Sequence, residues 1–145
     1  MKAISLLQPW ATLCVIGAKK YETRSWQTKY RGTLLIHASV KTPSGFQAFS
    51  YKKDPHFSKF IKDVYELPYG AVIGKVELIN CFHTGELLHP NMFVKQRESD
   101  QEKAFGDWTP GRFAWELANP VQFKKPIPYK GSLSIWEFPD ELLKL

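Results

Sequence analysis

Lys19, Glu22 and Arg24 put two cations and a carboxylate within six residues, close enough for the three charges to meet. Cations in such a group can anchor a phosphate, and a carboxylate between them can orient a polar base edge or accept from a base amino group. The same residues could instead form a satisfied ion network, because pairing is also how a fold tolerates buried charge. Lys20 extends the basic run. Arg112, just after the Pro110-Gly111 turn, is a further candidate cation for a cleft rim. Lys19 with Tyr21 or Glu22 also has the groups for general acid–base work. Trp10, Tyr21, Trp26 and Tyr30 are interleaved with Lys19, Lys20, Arg24, Lys29 and Arg31, a composition suited to stacking bases while neutralising phosphates. Trp26 and Tyr30 are the candidates for exposure, whereas Trp10, Trp115 and Trp136 fall on core-facing patterns.

The elements that would position these residues can be read from periodicity. Residues 2–6 suit a strand. Pro9 suits the first position of a helix, where its missing N–H costs nothing. Trp10, Leu13, Cys14 and Gly17 follow helical spacing with one inward face, and Gly17 is placed to stop the helix in a left-handed conformation. Residues 21–26 should then be extended, with Lys20, Glu22 and Arg24 on one face and Tyr21, Thr23 and Ser25 on the other. Residues 32–39 form a second strand. Helical segments are expected at 43–49 and 57–65, where Phe57, Phe60, Ile61 and Val64 recur as core positions. Residues 70–82 give the strongest strand pattern, with Gly74 marking a bulge or bend. A polar stretch at 84–105, a strand at 111–117, a break at Asn119-Pro120, an edge segment framed by Pro126 and Pro128, and a closing strand at 132–138 complete the chain. Five to six strands with two or three short helices make an α+β protein whose sheet curls into a barrel. No repeat or linker divides residues 1–145, so a single domain is expected.

The net charge is +6, and its distribution is uneven. Residues 1–65 hold eleven Lys and Arg against three Asp and Glu, and the remainder hold nine against eleven. One positive face of this kind suits a phosphate backbone. No apolar run approaches the roughly 20 residues of a membrane span, and the N-terminus lacks a secretory pattern, so a cytoplasmic protein without membrane contact is expected. Cys14 and Cys81 sit in apolar company and read as buried small hydrophobes. His37, His56, His83 and His89 show no metal-ligand spacing with either cysteine, so neither a metal nor a cofactor is expected.

The spacing Gly17-x-Lys19-x-x-Glu22-x-Arg24 resembles the G-x-K-x-x-E-x-R signature of ASCH domains. Residues 5–11 (Ser-Leu-Leu-Gln-Pro-Trp-Ala) resemble the family's opening segment, and Arg24-Ser25-Trp26 with Arg31-Gly32 its continuation. Residues 105–115 resemble a late segment of bacterial members, and residues 130–136 the last strand. The resemblance implies a PUA-like mixed β-barrel flanked by short helices. It also implies a cleft where the signature gathers and RNA or a nucleoside-like ligand as partner. The leading expectation is therefore an RNA-binding domain. Lys19, Lys20, Arg24, Trp26 and Arg112 would contact the ligand and Glu22 would orient them.

The alternative is a hydrolase. One ASCH-like branch deacetylates N4-acetylcytidine with a lysine and a threonine at signature positions plus a downstream glutamate. Lys19 matches that lysine, Glu22 stands at the threonine position, and Glu102 is the candidate downstream carboxylate. A carboxylate in place of a hydroxyl nucleophile changes the chemistry. Another member of the family is a ribonuclease, for which Lys19 and Glu22 would be the catalytic candidates.

Overall fold

Apolar residues in β1 (Lys2–Leu6) bury Ala3, Ile4 and Leu6 and lead into α1 (Trp10–Val15). The structure, a computed structural model, describes residues 1–84 and 99–143. Next come β2 (Tyr21–Arg24), β3 (Gly32–Ala38), α2 (Gly45–Lys53), α3 (Pro55–Ser58), a 3₁₀ turn at Val64–Glu66 and β4 (Ala71–His83). Then follow α4 (Asp100–Phe105), β5 (Phe113–Pro128), β6 (Ile135–Glu137) and a 3₁₀ turn at Asp140–Leu142. Among the described residues the strands form one mixed sheet of six, in the order β2-β5-β4-β3-β1-β6. β1 and β3 run parallel, and the other neighbours are antiparallel. The sheet curls into a half-barrel around Ile4, Leu34, Ile36, Ile73, Val76 and Trp115, which makes the fold α+β as expected.

α1 departs from the single inward face that its spacing suggested. It is buried from Ala11 through Val15 because it lies between two apolar clusters. Ala11, Cys14 and Val15 pack on the sheet, while Leu13 joins Phe57, Ile61, Val64 and Phe105 on the opposite side. Pro9 occupies the N-cap position rather than the first helical one. Gly17 ends the helix at φ +83°, as expected, and Lys19 N–H closes the turn onto the Leu13 carbonyl at 2.9 Å.

The bulge expected at Gly74 is present: pairing slips between Val72 and Gly74. A Cβ there would strike the Val121 carbonyl oxygen and the Val15 side chain, so α1 and β5 approach only because residue 74 has none. The break expected at Asn119-Pro120 is instead a second bulge. β5 continues for 16 residues, with Ala118 opposite Glu77 and Val121 opposite Lys75. Asn119 takes φ +50°, and the irregular pairing accommodates a proline that could not donate to a regular ladder. The helix expected at 57–65 is divided in two, because Asp54 caps α3 and Asp63 caps the 3₁₀ turn. Phe57, Ile61 and Val64 are nonetheless core residues. Of the polar stretch 84–105, residues 100–105 form α4, capped by Ser99. Residues 85–98, His89 among them, lie outside the described residues.

A neutral polar relay ties β1, β3 and β6 together. The Trp136 indole N–H donates to Ser5 Oγ at 3.2 Å, and Ser5 Oγ lies 3.0 Å from His37 Nδ1. His37 Nε2 faces the Tyr129 carbonyl at 2.7 Å. A carbonyl can only accept, so Nε2 carries the proton and Nδ1 accepts from the Ser5 hydroxyl. Burial pushes His37 below its ordinary imidazole value, which favours this neutral tautomer. No helix among the described residues is long and apolar enough to cross a membrane.

Candidate functional site

The stop at Gly17 decides where Lys19 goes. Its side chain turns inward and is 1% exposed. Its ammonium donates to the Tyr21 carbonyl and lies 3.5 Å from Glu22 Oε1. Glu22 Oε2 is 3.7 Å from Arg24 Nη1, so the carboxylate lies between the two cations. The Arg24 guanidinium stands 5.8 Å from the Trp26 ring and 5.9 Å from the Trp115 ring, within reach of cation–π attraction. Those two indoles meet edge-on at 4.8 Å. Arg24 Nε is buried and has no hydrogen-bond partner among the described residues.

The end of α4 supplies the facing wall. The Asp107 amide donates to Thr23 Oγ1 at 3.0 Å. Arg112 Nη2 donates to the Thr23 carbonyl at 3.3 Å, and its Nε donates to the Asp107 carbonyl at 3.2 Å. Arg112 Nε is also 3.5 Å from Asp107 Oδ2. The Asp107 carboxyl is held below its usual range, first by the Thr109 hydroxyl and then by the Thr109 amide. Gly106 allows this closure, since a Cβ there would come 2.8 Å from Thr23 Oγ1 and 3.6 Å from Lys19 Nζ.

Between the walls is a cleft of about 510 Å³. Glu22, Thr23 and Arg24 form one side and Gly106, Asp107 and Arg112 the other, while Leu7 and Trp10 contribute an apolar end. This arrangement offers two guanidinium groups and two carboxylates to a polar ligand, with the Trp10 indole beside them.

Three of the residues expected from sequence, Glu22, Arg24 and Arg112, line this cleft. Lys19 stands behind it and lines a separate cavity of about 230 Å³ with Cys14 and Pro120. Lys20 borders that second cavity too. It precedes β2, and its carbonyl accepts from the Leu117 amide at 2.9 Å. Trp26 is half-buried beside Arg24 and is not part of the cleft lining. Tyr30 is also half-buried, its hydroxyl donating to the Thr33 carbonyl at 2.5 Å. Trp115 and Trp136 are core residues, while Trp10 is half-buried and meets Tyr51 edge-on at 5.7 Å. Glu102 lies beneath the site. Its Oε2 accepts from the Lys20 amide at 2.9 Å, and burial pushes its carboxyl above the usual range. Thr23, Gly106 and Asp107 were not anticipated as site residues. The turn-rich run at 106–111 was the available signal.

Among the described residues no three His, Cys, Asp or Glu side chains converge as a metal site. Cys14 and Cys81 are buried free thiols, and burial pushes Cys14 up to about 12.

Comparison with known proteins places this geometry. Activating signal cointegrator 1 from Homo sapiens is 30% identical over 141 residues, which cover 96% of this chain and 22% of the relative. The Mus musculus protein of the same name gives the same values. The chain thus spans about a fifth of the length of these curated relatives. Crystallised ASCH from Zymomonas mobilis aligns with a TM-score of 0.57 at 16% identity, covering 97% of this chain and 89% of that one. A mutant of that Zymomonas mobilis protein aligns at 0.55 and 17% identity, covering 97% and 91%. At such identities the likeness is one of fold. The family model of the ASCH domain matches residues 4–127, a span containing both cleft walls and the Gly17-to-Arg24 signature. This chain belongs to the ASCH domain family.

Proposed function

We propose that this chain binds RNA through the cleft between β2 and the end of α4. The observation that carries this reading is that Arg24 and Arg112 both line one cleft of about 510 Å³, a volume within the ~300–1,000 Å³ span of small-ligand sites. Arg24 and Arg112 contact phosphate or a base edge, and Glu22 accepts from a base amino group. Lys19 acts from behind by fixing the Glu22 carboxylate. The uneven charge of the first 65 residues and the family membership support the same reading. A single domain spanning residues 1–145 and a cytoplasmic location are parts of the proposal.

Salt-dependent binding is the test. Affinity for single-stranded RNA should fall steeply as salt rises, because each neutralised phosphate releases counterions. Arg24→Gln and Arg112→Gln should each weaken binding and flatten the salt slope. Undetectable binding at low salt, or binding indifferent to salt, would overturn the reading.

A hydrolase is the second reading, favoured by the 3.5 Å approach of Lys19 to a carboxylate on the cleft wall. Its weakness is Glu102, which faces the Lys20 amide and does not line the cleft. Incubation with N4-acylated cytidines and with single-stranded RNA separates the readings. Product formation that disappears in Glu22→Gln would replace binding by catalysis.

A further inference from the structure

The surface beside the cleft continues past Trp10. Leu7 and Trp10 also line a small recess of about 80 Å³ that includes Lys41 and Tyr51. Tyr51 in turn borders a third recess of about 270 Å³ between α2 and residues 61–65. Leu7, Trp10 and Tyr51 thus link the cleft lined by Arg24, through the small recess, to the recess beside α2.

α2 has a composition that its own fold does not explain. Ser44 and Gln47 cap it reciprocally, yet none of its nine residues is buried. Phe46 is 83% exposed and Phe49 is 60% exposed. Three residues apart, they share one face of the helix. Lys52 and Lys53 follow in the last turn, with the Lys53 ammonium 5.3 Å from the Phe49 ring centre. Lys41 and Lys62 border the recesses on either side. Of the nearby carboxylates, Asp54 bonds with His56 and Asp63 with the Tyr65 amide, while Glu66 follows in the 3₁₀ turn. Exposed rings set among these lysines fit a ligand with flat apolar faces and repeated negative charge.

We propose that this linked series of recesses is a track that carries a single strand of RNA. One nucleotide sits in the cleft, the chain passes Trp10, and flanking bases stack on Phe46 and Phe49 while Lys41, Lys52 and Lys62 neutralise phosphates. The inference rests on the RNA reading of the cleft and adds the substrate class: a strand of several nucleotides, neither a free nucleoside nor a duplex. A duplex keeps its bases stacked on each other and cannot offer them to phenyl rings. An anionic membrane would also suit phenylalanine beside lysine, but it would not account for the continuity with a polar cleft.

Fluorescence anisotropy of the full chain with single-stranded RNA of about two and about ten nucleotides tests this. The longer strand should bind on the order of tenfold more tightly or better, as one added stack would give. A Phe46→Ser/Phe49→Ser variant should lose most of that gain and keep the short-strand affinity. Its Tm should be unchanged, since both rings are exposed and α2 meets the core through Ala48 and Tyr51. Arg24→Gln should weaken both strands alike. Equal affinity for the two lengths, or a double variant that binds the longer strand normally, overturns the track while leaving the cleft reading intact. Failure of the unmodified chain to bind either strand overturns both. If the double variant loses binding to phosphatidylserine vesicles and keeps its affinity for the longer strand, α2 is a membrane-facing element and the proposal falls.

Discussion

Two polar clusters meet near Ser5, and they are built on opposite terms. The relay of Trp136, Ser5, His37 and the Tyr129 carbonyl is neutral, and each donor in it has an acceptor. The group of Lys19, Glu22 and Arg24 is charged, and Arg24 Nε has no partner among the described residues. Ser5 borders both the cleft of the charged group and a cavity of about 330 Å³ on the relay side. A satisfied network specifies packing and has little left to offer a ligand. The charged network stands at a cleft wall, and under the proposed reading its exposed guanidinium and carboxylate groups serve the ligand. The contrast is between a neutral network closed on itself and a charged one set at a cleft wall.

The comparison can be broken from either side. The largest loss is expected from Lys19→Met, which keeps much of the side chain's length but leaves Glu22 and the Tyr21 carbonyl without their donor. Removing one partner of a buried pair costs about 3–5 kcal/mol. The lower end applies because Glu22 is 13% exposed and still has Arg24 nearby. A Tm fall of about 10 °C by calorimetry is the expected outcome for a chain of this size. Next comes Gly131→Ala on the relay side, where a Cβ would meet Ser5 Oγ at 2.5 Å and His37 Cε1 at 2.6 Å. Overpacking of this kind costs about 1–3 kcal/mol. Chemical denaturation should register the loss while short-strand RNA affinity is unchanged.

A smaller effect is expected from pH. His37 has an ordinary value of 6.5 and lies below it in the fold, so the unfolded chain binds the proton more readily. Its contribution is fully present above 6.5 and is lost as pH falls from there towards the folded-state value. Replacing His37 by Gln should remove this part of the acid sensitivity in melting curves recorded across that window. The smallest stability change is expected for Arg24→Gln, under about 1 kcal/mol, because a partly exposed ion pair contributes little. The same variant should be among the most damaging to RNA binding. If Arg24→Gln instead destabilised the fold as much as Lys19→Met, the charged group would be structural like the relay.

Much of the framework was legible because it is local. β1, the Gly17 stop and the Gly74 bulge each follow from a few neighbouring residues with one physical reading. The course of β5 was not, since Asn119 and Pro120 look like a break until the register with β4 shows that a bulge absorbs them. The break in the 57–65 helix depended on Asp63 capping a new turn instead of riding on an existing one. At the site, the signature spacing singled out Glu22 and Arg24. It could not show that Lys19 would be buried behind them, because a residue between a helix stop and a strand has no periodicity to fix its direction. Gly106 and Asp107 come from a segment more than 80 positions away from β2, and only the tertiary fold makes them the facing wall.

The cations around the cleft have a second consequence, which concerns association with other chains. Among the described residues β2 is an edge strand, paired only with β5. The Lys20 carbonyl bonds across to Leu117, so the alternate residues Tyr21 and Thr23 turn their backbone groups outward. Lys19 takes the Tyr21 carbonyl and Arg112 takes the Thr23 carbonyl. An incoming strand from another molecule would find those acceptors occupied by charged side chains, a common protection against edge-to-edge aggregation. The charges at and behind the cleft also close the β2 edge of the sheet.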